Sequence, residues 1–146
     1  MDQGDLNRLL ARVSRVHYRR SFAEFAKFGI TQGQPRILNF LVRNDGCIQR
    51  ELCDSCHLEP ATVTKLMANM EKAGLIERRN EPGNRKNLCV FLTAKGREAQ
   101  QCVERVHAQI EQECFAGFSV AEKEQAAQLL QRIGDNLIKA EGKTES

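Results

Sequence analysis

The spacing of hydrophobic residues in the middle of the chain predicts two helices joined by a short turn. One helix should cover residues 48–56 and a longer one residues 60–73, with residues 57–59 as the turn. Pro60 suits the first helical position because its φ angle is fixed and it has no N–H group to leave unpaired. Gly74 supplies the left-handed conformation that ends the longer helix.

The longer of these helices has two different faces. Its apolar residues recur at positions i, i+3, i+4 and i+7 and form one stripe, made of Val63, Leu66, Met67 and Met70. The opposite side carries small and polar residues, which allow close approach to a duplex and hydrogen bonds to base edges and phosphates. These candidate DNA-binding residues are Ala61, Thr62, Thr64, Lys65, Ala68, Asn69 and Lys72. An ordinary amphipathic surface helix is the alternative interpretation.

Two strands joined by a basic loop follow this helix. The strands should cover residues 75–80 and 87–92, and the loop residues 81–86. Arg85 and Lys86 near the tip of the hairpin are suited to phosphates or a narrow minor groove, and Arg78 adds a cation on the first strand. Two helices followed by a basic hairpin predict a winged helix-turn-helix, whose second helix enters the major groove.

Two further helices are expected before this region. Asp5 should cap a helix over residues 6–28, and a capping box of Thr31 and Gln34 should open a second helix that ends near residue 43. Residues 47–48 are expected to add a small strand beside the hairpin.

Two more helices are expected after the hairpin. Thr93 should cap a helix that ends near residue 115, and a capping box of Ser119 and Glu122 should open the last helix, with residues 141–146 frayed. The long helices at both ends of the chain carry apolar stripes that a second copy of the chain would cover. Packing within one chain, as a helical monomer, is the alternative.

Charge is unevenly distributed along the 146 residues, a length that suits one domain. The net charge is only +3, but residues 60–97 carry a net +5 and residues 98–146 a net −4. Positive charge is therefore concentrated in the region that should bind phosphates. No run of 18 apolar residues and no signal peptide are present, so the expected location is the cytoplasm, with no membrane partner.

Six cysteines leave three interpretations open. Cys53 and Cys56 form a C-x-x-C motif beside Cys47 and His57, which is typical of a metal site or a redox pair. The remaining three, Cys89, Cys102 and Cys114, lie on apolar faces, where cysteine packs as a small hydrophobic residue. We expect packing for most of them and no metal site, with redox sensing and zinc binding as the alternatives.

Four short motifs together resemble the MarR family of bacterial transcription regulators. They lie at residues 29–34, 59–64, 74–76 and 92–97, and the resemblance spans nearly the whole chain. The chain departs from the family pattern at Asn84, Lys86 and Ala61, where the family usually has aspartate, arginine and serine. Redox sensors of this family typically place a reactive cysteine in the first helix, and this chain has none before Cys47.

The resemblance implies a mainly α fold with a small β-hairpin, in a single MarR-like domain over residues 1–146. The winged helix-turn-helix would cover residues 31–93, and the N- and C-terminal dimerisation helices residues 1–30 and 94–141. The implied function is that of a homodimeric repressor in a bacterium or archaeon, which binds double-stranded DNA at a pseudo-palindromic operator. A small aromatic or phenolic effector would release the DNA, and His17, Tyr18 and Arg36 are the candidate effector-binding residues.

No enzyme is expected. The three histidines, His17, His57 and His107, lie in no recognisable catalytic motif, and the sequence has no Gly-rich phosphate loop or Gly-x-Ser-x-Gly motif. No cofactor is expected either. A winged helix that binds only protein is a further alternative, which the uneven distribution of charge disfavours.

Overall fold

The computed structural model describes residues 2–144, apart from the side chains of residues 84–86 and 144. In chain order the elements are α1 (Asp5–Ala26), α2 (Gln34–Arg43), β1 (Cys47–Ile48), α3 (Gln49–Cys56), α4 (Pro60–Lys72), β2 (Ile76–Glu81), β3 (Asn84–Leu92), α5 (Ala94–Cys114) and α6 (Val120–Thr144). The mainly α fold with a small β-hairpin is confirmed. The chain divides into two compact units, Met1–Ile110 and Glu111–Ser146. The assignment of all 146 residues to one domain stays a prediction.

The first unit is built around one apolar core. The apolar stripe predicted for α4 is fully buried there, with Leu66 the most accessible of its four residues at 8% exposed. The same core takes residues from α2, α3, the sheet and α5: Ile37, Leu38, Leu41, Leu52, Ile76, Val90, Val103 and Val106. Because α4 is held by one face only, its other face lies at the surface.

The three strands form one antiparallel sheet in the order β1-β3-β2. The small strand expected at residues 47–48 is confirmed, and Cys47 pairs with Val90. The six-residue loop predicted for the hairpin is wrong, because Glu81 pairs with Asn84 and only Pro82 and Gly83 form the turn. The pairing is regular from Ile76 to Asn80, and its register then shifts between Asn80 and Glu81, so an irregular stretch precedes the two-residue turn.

The beginnings of α1 and α2 differ from the predictions. Gly4, not Asp5, is the N-cap of α1, and the Asp5 carboxylate accepts a hydrogen bond from the backbone N–H of Asp2 at 2.7 Å. Gly33 is the N-cap of α2. Only half of the predicted capping box forms there, since the Gln34 side chain accepts from the Thr31 N–H at 3.0 Å. In both cases the predicted cap was misplaced because a glycine can adopt the left-handed conformation next to the helix.

The last two helices begin as predicted. The Thr93 hydroxyl accepts from the Gly96 N–H at 3.0 Å and caps α5. Ser119 and Glu122 form a reciprocal capping box at 2.8 and 3.1 Å, and the hydrogen bonds from Ser119 hold the pKa of the Glu122 carboxyl below its usual value. The fraying predicted for residues 141–146 is wrong over residues 141–144, because α6 continues to Thr144, and residues 145 and 146 lie outside the described part of the chain. Alanine, glutamate and lysine in this stretch are good helix formers.

Large apolar side chains remain exposed on α1 and on α6. On α1 they are Leu6, Leu9, Leu10, Val13 and Val16, and on α6 Val120, Leu129, Leu130, Ile133, Leu137 and Ile138. Contiguous apolar surface of this kind is typical of a face that another molecule covers. Across residues 2–144, no helix is both long and apolar enough to cross a membrane.

Candidate nucleic-acid interface

The exposed face of α4 carries all seven of its candidate DNA-binding residues. Ala61, Thr62, Thr64, Lys65, Ala68, Asn69 and Lys72 are exposed, whereas the four residues of the apolar stripe are buried. The two-faced helix predicted from the sequence is thus confirmed as a structural feature. That these side chains contact DNA stays a prediction.

One side-chain contact joins α4 to α3. The Gln49 amide donates a hydrogen bond to the Thr64 hydroxyl at 3.1 Å, and that hydroxyl donates to the Pro60 carbonyl at 2.9 Å. Thr64 therefore already has partners within the chain and helps to hold Gln49 at the start of α3. The sequence analysis missed Gln49, because the two residues are 15 positions apart and no local pattern connects them.

Arg78 connects the hairpin to α4. Its guanidinium donates two hydrogen bonds to the Glu71 carboxylate, both at 3.1 Å. These bonds raise the pKa of Arg78 and hold the pKa of the Glu71 carboxyl below its usual value. Binding of DNA by Arg78 stays a prediction, but the structure gives its guanidinium a partner in the chain, and this ion pair joins β2 to α4.

A second hairpin arginine lies over an aromatic ring. The guanidinium carbon of Arg79 is 4.0 Å from the centre of the Phe91 ring, and its Nε atom is 3.9 Å from a Glu77 carboxylate oxygen. The side chain is exposed, so Arg79 presents a cation on the hairpin that the site prediction omitted. The predicted contacts of Arg85 and Lys86 fall on side chains outside the described part of the structure.

The end of α4 is held by the beginning of α5. The Lys95 ammonium donates to the Ala73 carbonyl at 2.7 Å, and the Thr93 hydroxyl donates to the Gly74 carbonyl at 2.6 Å. The Thr93 N–H donates to the Leu75 carbonyl at 3.1 Å. Gly74 has the predicted left-handed conformation, with φ 78°. The carbonyls of residues 73–75 thus all accept hydrogen bonds from Thr93 or Lys95, at the start of α5.

Gly96 allows this close approach. A Cβ atom at position 96 would lie 2.0 Å from the Leu75 carbonyl oxygen, a distance at which the backbone would have to move. Gly96 lies within α5 and is itself buried. The first turn of α5 therefore packs directly on the backbone that follows α4.

A cavity of about 450 Å³ lies within the first unit. The three candidate effector-binding residues, His17, Tyr18 and Arg36, all line it. The remaining polar lining comes from Ser14, Ser21, Gln32, Asn39 and His107, and the apolar lining from Phe22, Phe25, Pro35 and Leu58. Sequence analysis could not find the rest of this set, because it is brought together from α1, α2, α5 and the loops near them.

The cavity wall combines aromatic rings with hydrogen-bond donors. The Tyr18 and Phe22 rings lie 4.6 Å apart, and the Phe25 ring meets the His107 ring edge-on at 5.6 Å. Burial, and to a lesser extent His17, lowers the pKa of His107, which favours its neutral form. The wall therefore offers ring faces for apolar contacts and polar groups for hydrogen bonds.

The environments of Cys47 and Cys56 favour packing over reactivity, whereas Cys114 is exposed, so the prediction that it packs on an apolar face is wrong. Burial, with a smaller contribution from Glu51, raises the pKa of the Cys47 thiol to about 11, and burial also raises that of Cys56. The Cys56 thiol lies 3.8 Å from the Arg36 carbonyl oxygen, to which it donates. All six cysteines are free thiols. Within the described residues, no group of three or more His, Cys, Asp or Glu side chains could hold a metal ion.

Comparisons with known proteins agree with this geometry. Residues 28–86 match the sequence model of the MarR family. The proposed transcriptional regulatory protein for the hcr operon of Thauera aromatica is 28% identical over 126 residues, which cover 80% of this chain and 76% of that protein. A MarR-family regulator from Listeria monocytogenes, solved with a 26-mer DNA, is 26% identical, with a TM-score of 0.79 over 96% of this chain and 92% of its own.

A second solved structure, that of MarR, is 25% identical, covers 98% of both chains and has a TM-score of 0.78. The helix-turn-helix, the hairpin and these similarities define the class of protein, a winged helix-turn-helix transcriptional regulator. Residues 28–86 match the MarR-family model, and the whole chain is similar to solved MarR-family regulators, in agreement with the resemblance that its sequence motifs predicted. Both the Thauera aromatica relative and the Listeria monocytogenes structure are described as transcriptional regulators.

Alkylation rates should distinguish the cysteines. At pH 8, iodoacetamide should modify exposed Cys114 at least about 10²-fold faster than Cys47, because a thiol with a pKa near 11 has little thiolate and burial blocks access. Mass spectrometry of peptides over time gives both rates, and the unfolded protein in urea is the control in which the difference should largely disappear. Rapid modification of Cys47 or Cys56 in the folded protein would support a redox-sensing cysteine instead.

Proposed function

We propose that the protein is a homodimeric, sequence-specific repressor that binds a pseudo-palindromic operator and releases it when a small ligand binds. The observation that supports this function most strongly is α4, whose apolar face is buried while its polar, small-residue face is exposed. A helix of this kind after a tight turn can enter the major groove. Such a regulator would act in the cytoplasm of a bacterium or archaeon, where the DNA lies.

The distribution of cations supports DNA as the partner. Lys65 and Lys72 are exposed on α4, and Arg79 is exposed on the hairpin that follows it. Phosphate contacts by such residues give affinity and register, while base contacts by residues such as Asn69 give specificity. The hairpin would contact the backbone or the minor groove beside the site, as the wing of a winged helix does.

The exposed apolar faces support a dimer. In the first unit, the apolar residues of α1 would lose their unfavourable contact with water if another surface covered them, and the same holds for α6 in the second unit. A second copy of the chain provides an identical and complementary surface. A two-fold dimer would present two α4 helices to half-sites about one helical turn apart.

The position of the cavity supports release of DNA when a ligand binds. It lies in the first unit, lined partly by His107 of α5, and the first turn of the same helix contacts the end of α4. A molecule that displaces α5 would therefore move the reading helix and shift the dimer between two geometries. A solved relative, PcaV from Streptomyces coelicolor, carries its natural ligand, though at 21% identity it shows only the shared fold.

Mutation of α4 should separate base reading from phosphate binding. Asn69→Ala should weaken binding to the preferred operator by about 1–3 kcal/mol and relax preference at particular base pairs. Lys72→Ala should instead weaken binding to all duplexes and lower the salt slope by about one. Binding to operator and random duplexes across salt concentrations measures both effects, after footprinting has located the two half-sites. A footprint of one asymmetric half-site, bound by a monomer, would contradict the proposal.

Charge placed on the apolar face of α6 should prevent dimerisation. Leu130→Glu with Ile133→Glu should yield monomer or aggregate in light scattering, because a buried unpaired carboxylate at an interface is costly. The matched control is Gln125→Glu with Gln128→Glu, which adds the same charge at the same spacing on another side of the helix. A folded dimer with normal operator affinity after the first change would contradict the dimer through α6.

A bulky side chain in the cavity should prevent the effector from releasing the operator, while DNA binding itself should be unaffected. Phenol and benzoate are suitable probes for the aromatic class, and at millimolar concentration at least one should release the operator duplex. Ser14→Trp should raise the probe concentration needed by at least about tenfold, since Ser14 lines the cavity. Ala11→Trp, one turn earlier on α1, is the control. Equal release from both variants would exclude this cavity as the effector site.

A further inference from the structure

Three residues at the start of α5 hold the chain that leaves α4. We define Thr93, Lys95 and Gly96 as the clasp. Its hydrogen bonds reach the carbonyls of Ala73 and Gly74 at 2.7 and 2.6 Å, and Gly96 packs against the Leu75 carbonyl. The residues that the clasp holds lie about one helical turn or less from Lys72 and Asn69, the last candidate DNA-binding residues of α4.

We propose that the clasp sets the position of α4 for sequence reading, and that its residues act as positioning residues rather than as DNA contacts. The inference rests on the proposed function, since it concerns how the reading helix is aligned. Base readout requires side chains to reach hydrogen-bond distance of particular base atoms, and a shift of the helix by a fraction of an ångström changes those distances. Binding to phosphates by flexible lysines tolerates such a shift.

The Thr93 hydroxyl bonds to two helices at once. It accepts from the Gly96 N–H at 3.0 Å, which caps α5, and donates to the Gly74 carbonyl at 2.6 Å, just after α4. One oxygen therefore links the end of one helix directly to the start of the next. Serine can make both bonds, whereas valine has nearly the same shape and can make neither.

The positive charge of Lys95 lies at the C-terminal end of α4. Its ammonium lies 2.7 Å from the Ala73 carbonyl oxygen, at the C-terminal end of α4, where the helix dipole favours a cation. An exposed lysine near a reading helix could also bind a phosphate. The two roles differ in their effects, because loss of a phosphate contact lowers affinity for every duplex and reduces the salt slope.

Gly96 sets how closely α5 can approach. A Cβ there would lie 2.0 Å from the Leu75 carbonyl oxygen and 3.0 Å from Leu92 Cδ2. Any other residue would push the first turn of α5 away from the backbone after α4. The hydrogen bonds of the clasp to Ala73, Gly74 and Leu75 therefore span a contact in which the two backbones are already as close as they can be.

The experiment measures the affinity of four variants and the wild type for the operator and for random duplexes over a range of salt concentrations. Thr93→Val and Lys95→Met should each lower operator affinity about tenfold, the scale of one or two hydrogen bonds. Affinity for random duplex should stay within about twofold and the salt slope should not change. Thr93→Ser should restore operator affinity. Lys123→Met, which removes a cation from the exposed surface of α6, is the control for lost charge.

Two results would overturn the proposal. Unchanged operator affinity in both Thr93→Val and Lys95→Met would show that the clasp does not align α4. An equal loss on both duplexes, with the slope lowered by about one in Lys95→Met, would show that Lys95 is a phosphate contact. Lys95 is exposed, so this variant should fold even if Thr93→Val does not. A wild-type protein that prefers no sequence would refute the proposed function itself, which is a different result.

Discussion

Burial of one face of α4 is the constraint on which the rest of the structure depends. Val63, Met67 and Met70 are fully enclosed by residues of α2, α3 and the sheet, and the free energy of burying such side chains is on the order of 1.5–3 kcal/mol each. Because the helix is held by that stripe, its opposite face has to point outward. The polar and small residues of α4 are therefore surface residues as a direct consequence of the core.

Polar contacts then fix α4 more closely than packing does. Gln49 and Thr64 connect its beginning to α3, Arg78 and Glu71 connect it to β2, and Thr93 and Lys95 connect its end to α5. Apolar packing alone tolerates small sliding movements, whereas hydrogen bonds have narrow distance limits. A helix that must align with base pairs benefits from both kinds of contact, and the polar contacts lie at its two ends and along one side.

The exposed apolar faces of α1 and α6 are a second constraint, because in a single chain these side chains remain in contact with water. Leu6 is 69% exposed and Ile138 is 66% exposed, and each belongs to a row of such side chains along its helix, which is typical of a surface that another molecule covers. The proposed dimer removes this surface from water. In the same first unit, α1 also lines the cavity through His17 and Tyr18, so one helix contributes both to the proposed dimer face and to the proposed effector site.

The sequence by itself determined the helices, the two faces of α4 and the resemblance to a family, because these depend on local spacing and on short motifs. The periodicity of Val63, Leu66, Met67 and Met70 is enough to predict which side of α4 is buried. Helix starts were less certain, since Gly4 and Gly33 replaced the expected caps. Only the tertiary structure decided which polar groups meet. The pairs Gln49–Thr64, Glu71–Arg78 and Ala73–Lys95 join residues from different elements, and such long-range contacts leave no periodic pattern in a single chain.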